Sequence, residues 1–455
     1  MPTNVVLVTT YELGHQSFGL ASAAASLRSA GAAVTTQDLS IHALDEAPLN
    51  DAGLVGIYVP MHTATRLAEP LIQRLKAEHP AIYICVFGLY AAMNETHLRQ
   101  LGADAVLSGE FEQGLVDVYD SVASGRPATQ TSTISLERLR LEVPDRSGLP
   151  PLASYAHLRM PRGDSLVVGY TEATRGCKHL CRHCPIVPVY QGRFVIVDPE
   201  IVLADIRQQV DAGARHITFG DPDFLNGPVH ALRIVRRMHE EFPEVTYDVT
   251  IKVEHIKRHV DLLPELQATG CILVTSAIES FDEATLQRFD KRHTTEELIS
   301  VLSAMQAIGL AVNPTFVTFT PWTTVDTFID FLETIVRLGL VRNMSPVQYA
   351  IRLLVPAGSR LLELSEMAAL LHPFDANLLC YPWSHPDPAV DTLFDQVAAI
   401  AETDLATDDS RAEIFTRIWQ VAHEALNPSA IPPAPPDLGI LPAVAVPYLT
   451  EPWYC

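Results

Sequence analysis

Long apolar runs are missing from this 455-residue sequence, although apolar residues make up 48% of it. No run approaches the roughly 20 residues that a membrane-spanning helix needs. The first residues show no charged stretch followed by an apolar run and a cleavage site, so a secretory signal is not predicted. These absences predict a protein that has no membrane partner.

Basic residues and cysteines are also in short supply. The sequence has 32 Lys and Arg against 54 Asp and Glu, giving a formal net charge of −22. Proteins that bind nucleic-acid phosphates show basic clusters, so no nucleic-acid partner is predicted. The seven cysteines are an odd number without the even spacing of a disulfide framework. They indicate a reducing compartment, and we expect the protein in the cytoplasm.

Three of these cysteines nevertheless lie within eight residues, as Cys177, Cys181 and Cys184 in a Cys-x3-Cys-x2-Cys pattern. Closely spaced thiolates suit a soft metal or an iron–sulfur cluster. A structural zinc site usually has four protein ligands, and no fourth cysteine is near. His179 and His183 keep a zinc site open as the alternative. Three thiolates on a four-iron cluster would leave one iron open to a cofactor or substrate.

The cysteine pattern follows Thr174-Arg175-Gly176 and resembles the cluster loop of radical S-adenosylmethionine (SAM) enzymes. The resemblance implies a [4Fe–4S] cluster on the three cysteines, with SAM bound at the open iron. It also implies reductive cleavage of SAM and an electron donor such as flavodoxin or ferredoxin. His183 departs from the family, which usually places an aromatic residue before the third cysteine. The departure alters packing over the cluster and removes no ligand.

The pattern of apolar runs predicts an α/β protein in four parts. They are a Rossmann-like domain at residues 1–125, a linker at 126–160, a partial barrel at 161–358, and a helical C-terminal extension with a tail at 359–455. In the first part, short apolar runs alternate with helical patterns, which predicts a parallel sheet covered on both faces. The predicted strands are Val5–Thr10, Val55–Pro60, Ile82–Phe87 and Ala105–Ser108.

This first part resembles the cobalamin-binding domain that precedes many radical SAM domains. Gly109-Glu110-Phe111-Glu112 looks like the glycine–glutamate turn of such domains, so cobalamin is a possible cofactor. Their cobalt-ligating motif is Asp-x-His-x-x-Gly. Here Gly19 follows His15 one residue too late, and no Asp stands two places before the histidine. Cobalt ligation by His15 is therefore not predicted.

The third part contains six strand candidates separated by helical patterns. Six βα units match the partial (β/α)6 barrel that the resemblance implies, with chemistry gathered at the strand ends. Asp198-Pro199 predicts a helix start, and Thr294 with Glu297 predicts a capping box. The predicted strands are Ser165–Ala173, His216–Gly220, Tyr247–Lys252, Ile272–Ile278, Ala311–Phe319 and Val347–Val355.

Polar residues at these strand ends are candidates for binding SAM. The resemblance assigns Asp221 or Asp223 to the amino group, with an Asx turn as the alternative. Charged or hydroxyl side chains also end the third, fourth and sixth strands. The resemblance links the fourth strand end to the ribose or carboxylate of SAM, and an arginine in an apolar strand favours a carboxylate partner. These further candidates are Lys252, Glu279, Ser280 and Arg352.

The final residues, Tyr448 to Cys455, resemble the start of the tail in a radical SAM family whose members end in Cys-Cys-Ala-Glu-Pro or Cys-selenocysteine-Ala-Glu-Pro. The resemblance makes Cys455 a candidate catalytic residue, and we expect the next codon to encode cysteine or selenocysteine. A vicinal pair would be a soft ligand for a metalloid. The alternative is an ordinary terminal thiol.

The leading functional hypothesis is a radical SAM transferase that acts on a small-molecule or metalloid acceptor. The related enzyme of arsinothricin synthesis suggests transfer of a 3-amino-3-carboxypropyl group to trivalent arsenic. The alternatives are a cobalamin-dependent radical SAM methyltransferase and a non-catalytic regulatory protein that binds zinc or a cluster.

Overall fold

The computed structural model describes residues 3–126, 133–403, 411–435 and 446–451. Its first sheet has six parallel strands in the order β2-β1-β3-β4-β5-β6. Five helices accompany it. The strands are β1 (Asn4–Thr9), β2 (Ala33–Asp38), β3 (Ala52–Tyr58), β4 (Tyr83–Phe87), β5 (Ala105–Gly109) and β6 (Ile134–Ser135); the helices are α1 (Phe18–Ser29), α2 (His62–Glu78), α3 (Leu89–Met93), α4 (Glu95–Leu101) and α5 (Glu112–Ala123).

Separate apolar clusters cover the two faces of this sheet, as expected for a parallel sheet between helices. The order reverses between β1 and β3, and ligands of such sheets bind at the carboxyl ends beside this reversal. The four predicted strands are present. Strand β2 escaped prediction because it is an edge strand of polar sequence, with only Thr36 and Asp38 buried.

The second sheet has seven strands in the order β14-β13-β12-β11-β8-β7-β15. Strands β8 and β11 to β14 are parallel, while β7 and β15 add antiparallel pairs at one edge. Strands β9 and β10 form a separate antiparallel pair. The bounds are β7 (His157–Arg159), β8 (Ser165–Thr171), β9 (Thr174–Gly176), β10 (Phe194–Ile196), β11 (His216–Phe219), β12 (Thr246–Thr250), β13 (Cys271–Glu279), β14 (Ala311–Phe316) and β15 (Tyr448–Leu449).

Helices connect the parallel strands and complete the α/β half-barrel predicted from the sequence. Asp198 caps the helix that begins at Pro199, and Thr294 with Glu297 forms the predicted capping box. The helices are α6 (Val187–Tyr190), α7 (Pro199–Asp211), α8 (Pro228–Glu241), α9 (Val253–Arg258), α10 (Leu263–Ala268), α11 (Glu283–Phe289), α12 (Thr295–Ala307), α13 (Val325–Arg337), α14 (Pro388–Thr403) and α15 (Arg411–Leu426).

The sixth barrel position differs from the predicted strand at Val347–Val355. Pro346–Tyr349 forms a 3-10 turn, and sheet pairing is reduced to one parallel bridge between Phe319 and Arg352. The predicted helical C-terminal extension begins instead with two short 3-10 turns, at Arg360–Glu363 and Met367–Ala369. Helices α14 and α15 supply the helical C-terminal part. Within the described ranges, no helix is at once long and apolar enough to cross a bilayer.

Candidate active site at the cysteine loop

The cysteine loop, residues 177–184, begins where β9 ends, just beyond the carboxyl end of β8. Strand β10 returns antiparallel to β9 and closes the base of the loop. Gly176 adopts a φ of +75°, and a Cβ at this position would lie 2.4 Å from the Tyr190 ring and 2.6 Å from the Arg193 carbonyl oxygen. Glycine is therefore required immediately before Cys177.

All three loop cysteines are free thiols. Cys181 is buried, and Cys177 and Cys184 are partly buried. Burial, reinforced by the neighbouring sulfur of Cys181, raises the pKa of Cys177 to about 11 and that of Cys184 to about 12. The three sulfur atoms are thus close enough to influence one another electrostatically. They form one soft donor set that must lose protons when it binds a metal.

Asp221 lies beneath the loop and is buried. One carboxylate oxygen accepts a hydrogen bond from the Ala173 backbone N–H at 2.9 Å, and the other accepts one from the Thr174 hydroxyl at 2.5 Å. Burial raises the pKa of Asp221 to about 7. In the structure, the candidate residue Asp221 therefore fixes the backbone of Ala173 and the side chain of Thr174, which lead into the cysteine loop.

Asp223 begins a chain of polar side chains along the loop. Its Oδ2 lies 2.6 Å from Nδ1 of His255, and the two imidazoles of His255 and His179 approach to 3.1 Å between their Nε2 atoms. Lys252 Nζ lies 3.3 Å from Nδ1 of His179 and 3.2 Å from a carboxylate oxygen of Glu254. The sequence candidates Asp223 and Lys252 are thus joined through two histidines.

Sequence reasoning missed His255 altogether. A histidine three residues after Lys252 in an amphipathic helix gives no signal of its own, because only the fold brings it to His179.

Glu279 ends β13 with a φ of +72° and is buried. Its Oε1 lies 3.1 Å from Nε2 of His183 and 3.2 Å from Nζ of Lys291. Lys291 and His183 together outweigh the effect of burial and lower the pKa of Glu279 to about 2. The neighbouring Ser280 hydroxyl accepts a hydrogen bond from the Asp282 N–H at 3.0 Å, so it shapes the following turn.

Arg352 lies away from this group of residues and is engaged by the C-terminal part. Its guanidinium pairs with Asp391 at 2.8 Å, donates to the Trp383 carbonyl at 3.0 Å and stacks 3.8 Å from the Trp383 ring centroid. The predicted carboxylate partner is therefore present within the protein. Cys455 lies outside the described residues.

Residues 171–335 match the family model described as the radical SAM superfamily. The chain carries a radical SAM domain. It is 27% identical over 209 residues to the tRNA-2-methylthio-N(6)-dimethylallyladenosine synthase of Desulfosudis oleivorans, an alignment that covers 42% of each protein. The chain thus spans less than half of this curated relative.

Two solved structures share the fold. The cobalamin-dependent SAM radical enzyme OxsB superposes with a TM-score of 0.64 at 13% identity, over 89% of this chain and 67% of OxsB. The radical SAM methyltransferase TsrM from Kitasatospora setae, with tryptophan and a SAM analogue bound, gives 0.58 at 16% identity, over 81% of this chain and 78% of TsrM. These similarities confirm the predicted α/β architecture with its helical C-terminal part.

A radical SAM domain uses a [4Fe–4S] cluster and SAM, and the cysteine loop fits this cluster. The loop offers three soft thiol ligands, and Lys291 supplies a buried cation near Cys181 and Cys184. The zinc alternative fits less well. The ligand atoms of Cys177, His179 and Asp223 lie within 4.8 Å of one another, but this group uses only one cysteine. His183 faces Glu279 instead of completing a zinc site.

The radical SAM domain is joined to the first sheet through Arg175, two residues before Cys177. Its buried guanidinium lies 3.4 Å from Glu110, 2.7 Å from Glu112 and 2.9 Å from Glu172. Glu110 and Glu112 belong to the glycine–glutamate turn that ends β5. In this chain the glycine–glutamate turn therefore forms ion pairs with Arg175, just before the cysteine loop. The sequence alone did not predict these ion pairs.

Cobalamin fits poorly at the β1–α1 turn. Residues 14–20 are all buried, and His15 stacks on Tyr170 of the radical SAM domain at 4.8 Å between ring centroids. Burial lowers the pKa of His15 to about 4. The turn thus has no free face for a corrin ring, and His15 is not available to cobalt. We assign no chemical step to cobalamin.

The same turn holds Glu12, whose Oε2 has no hydrogen-bond partner among the described residues. Burial raises the pKa of Glu12 to about 8, despite a hydrogen bond with Ser17. The folded-state pKa of Glu12 lies above its ordinary value. The contribution of Glu12 to the free energy of unfolding is therefore fully present below about pH 4.5 and is lost as the pH rises towards 8. Glu12→Gln removes this titration and is expected to stabilise the protein by roughly 2–4 kcal/mol at pH 8.5.

Urea unfolding of the cluster-free protein at pH 6 and pH 8.5 measures this effect. The advantage of Glu12→Gln over the unmodified protein should widen at the higher pH. Glu137→Gln, which alters an exposed carboxylate, should give no such widening. Equal pH dependence in the unmodified protein and Glu12→Gln would show that Glu12 does not titrate in this range.

Proposed function

We propose that this protein is a radical SAM enzyme that cleaves SAM reductively and modifies a small-molecule acceptor. The observation that carries the proposal is the single loop that bears three free thiols, Cys177, Cys181 and Cys184, at the carboxyl edge of the half-barrel. Cys177, Cys181 and Cys184 would hold a [4Fe–4S] cluster, which would supply the electron that breaks a sulfonium carbon–sulfur bond of SAM. Free thiols of this kind favour a reducing compartment such as the cytoplasm.

The polar residues beside the loop suit the charges of SAM. A carboxylate at Asp223 complements an ammonium group, and Lys252 complements a carboxylate. Glu279, held by Lys291, is an acceptor suited to ribose hydroxyls. The chain of hydrogen-bonded side chains from Asp223 to Lys252 fixes both of these residues before SAM arrives. This reduces the entropic cost of ordering Asp223 and Lys252 during binding.

The acceptor is proposed to be small and soft. The curated relative named above is a tRNA-modifying enzyme, but the net charge of −22 is unfavourable for a tRNA substrate. The segment from Tyr448 to Cys455 resembles part of tails that carry two adjacent soft ligands. We therefore favour transfer of the 3-amino-3-carboxypropyl group of SAM to a thiol- or selenol-bound metalloid such as trivalent arsenic.

Anaerobic reconstitution followed by reduction with dithionite and addition of SAM tests the proposal. About four irons per chain and a brown chromophore are expected, whereas one colourless zinc per chain would support the regulatory alternative. Formation of 5′-methylthioadenosine with arsenite present supports aminocarboxypropyl transfer. Formation of 5′-deoxyadenosine alone excludes that transfer but retains the radical SAM assignment. Absence of both products, with and without arsenite, would overturn the enzyme assignment.

A further inference from the structure

The carboxyl ends of β1, β3 and β8 meet beside the turn after β1. Glu12 lies in that turn and Tyr58 ends β3, so both flank the reversal of strand order where ligands of such sheets bind. Tyr170 lies near the end of β8 in the half-barrel, and Glu172 follows that strand. We refer to these four residues as the tyrosine–glutamate site.

The four side chains of this site face one another. Burial, reinforced by the nearby carboxylates of Glu12 and Glu172, raises the pKa of the Tyr58 hydroxyl well above its ordinary value. Burial and the same two carboxylates raise the pKa of the Tyr170 hydroxyl as well. Because such electrostatic effects weaken with distance, the two hydroxyl groups and the two carboxyl groups lie close together.

Both tyrosines lie directly over glycines. A Cβ atom at position 19 would overlap the ring and hydroxyl of Tyr58, and one at position 220 would overlap those of Tyr170. Gly19 and Gly220 therefore allow the two hydroxyl groups to reach the site, which a larger residue at either position would prevent.

Four oxygen atoms of the tyrosine–glutamate site have no hydrogen-bond partner within the part of the chain that the structure describes. They are Oε2 of Glu12, Oε1 of Glu172 and the hydroxyl oxygens of Tyr58 and Tyr170. Glu12 is 7% exposed and Tyr58 is 6% exposed. Unpaired polar groups are costly at this depth, which indicates that a bound molecule pairs with them. Tyr170 and Glu172 are only partly buried, so a small molecule can approach from the half-barrel.

The charges around the site favour an uncharged ligand. Burial raises the pKa of Glu12 to about 8, so its carboxyl group is largely protonated at neutral pH. The charge of Glu172 is offset by Arg175, which lies 2.9 Å away. Two nearby cations, Arg146 and Arg175, already pair with buried carboxylates, so an anion would gain little from them. Neither of the two possible metal-binding groups within the described ranges includes Glu12 or Glu172.

We propose that the tyrosine–glutamate site binds a small uncharged molecule that carries several hydroxyl groups. Such groups donate hydrogen bonds to carboxyl oxygens and can donate to or accept from tyrosine hydroxyls, so each unpaired atom gains a partner. Arsenous acid, the uncharged form of trivalent arsenic near neutral pH, has this chemistry. The inference rests on the proposed function, because it specifies the form in which the acceptor enters. Glu172 lies five residues before Cys177, which would hold the acceptor near the cysteine loop.

Removal of the two tyrosine hydroxyls tests the site without breaking a known protein contact. The double variant Tyr58→Phe/Tyr170→Phe keeps both rings. Boric acid is a suitable probe because it is an uncharged trihydroxy molecule that does not prefer thiols. Equilibrium dialysis of the cluster-loaded protein should show about 25-fold weaker binding of boric acid by the double variant, or about fivefold for each hydroxyl.

Tyr119→Phe is the matched control for the double variant. Tyr119 is buried and lies seven residues, or about 10 Å, beyond the start of α5. It should bind boric acid as the unmodified protein does. Phosphate and arsenate are anions and should not displace boric acid from the unmodified protein.

A second readout connects the site with the reaction. In the double variant, the KM for arsenite in 5′-methylthioadenosine formation should rise about 25-fold with kcat and iron content unchanged. Equal boric acid binding by the double variant and the unmodified protein, displacement by phosphate, or no boric acid binding at all would overturn the site. If the unmodified protein forms only 5′-deoxyadenosine, the proposed transfer to arsenic is wrong, while the boric acid measurements still decide the site.

Discussion

Cys181→Ser is expected to abolish both the brown chromophore and all SAM-derived products after anaerobic reconstitution. Cys181 is the least exposed of the three loop cysteine residues, and it contributes to the raised pKa values of both Cys177 and Cys184. A serine hydroxyl stays protonated and hard, so the loop would keep only two soft ligands for the cluster. Iron and sulfide content, visible absorbance and product analysis by mass spectrometry measure the loss.

Cys271→Ser is the matched control for this loss. Cys271 is buried in β13, and its thiol lies 3.5 Å from the Leu273 carbonyl oxygen, a partner that serine can also use. Cluster content and SAM cleavage should therefore remain near those of the unmodified protein. If Cys181→Ser instead retained about four irons per chain, the assignment of the cluster to this loop would be wrong.

Arg175→Met is expected to destabilise the cluster-free protein by about 3–5 kcal/mol, because two buried carboxylates and the partly buried Glu172 lose their shared cation. Burial raises the pKa of Glu110 to about 7 even with Arg175 present, so loss of the guanidinium would disfavour the ionised form of Glu110 further. For a chain of 455 residues, the corresponding drop in the midpoint of thermal unfolding is roughly 3–5 °C. Differential scanning calorimetry of the unmodified and variant proteins measures it.

Two further variants distinguish the loss of the buried ion pairs of Arg175 from the effect of removing any arginine. Arg28→Met removes a partly exposed partner of Asp145 and should cost less than about 1 kcal/mol. Adding Glu112→Gln to Arg175→Met removes one of the stranded carboxylates and should recover part of the lost stability. Equal destabilisation by Arg28→Met and Arg175→Met would contradict the role assigned to these ion pairs.

The strands that the sequence predicted are those whose apolar side chains form compact runs, such as β1 and β13. An apolar run does not by itself distinguish a strand from another buried segment. At 347–355 the buried Tyr349 and Val355 indicated a sixth strand, yet they pack into two different apolar clusters. Pro346 starts a 3-10 turn there, so little of the run joins the sheet. Strand β2 illustrates the opposite case, in which backbone pairing orders a largely polar segment.

The cysteine loop was accessible from sequence because its three ligands are close in the chain. Its surroundings were not, because they depend on contacts between distant residues. Arg175 meets Glu110 across 65 positions, and His179 meets His255 across 76. The local sequence spacing predicts neither the Arg175–Glu110 pair nor the His179–His255 pair. Arg352 shows the same limit, since its need for a carboxylate was evident but Asp391 could be found only from the fold.

Strand β15 covers a sheet edge that would otherwise favour aggregation of the protein. It pairs with β7 through two residues, Tyr448 and Leu449, and Glu451 then accepts a hydrogen bond from the Tyr11 hydroxyl at 3.0 Å. Without β15, the backbone groups of β7 would form an open sheet edge, which is a template for pairing between molecules. The short strand thus protects the half-barrel against edge-to-edge aggregation. Because Glu451 follows β15 and is hydrogen-bonded to Tyr11, this protection also depends on the turn after β1.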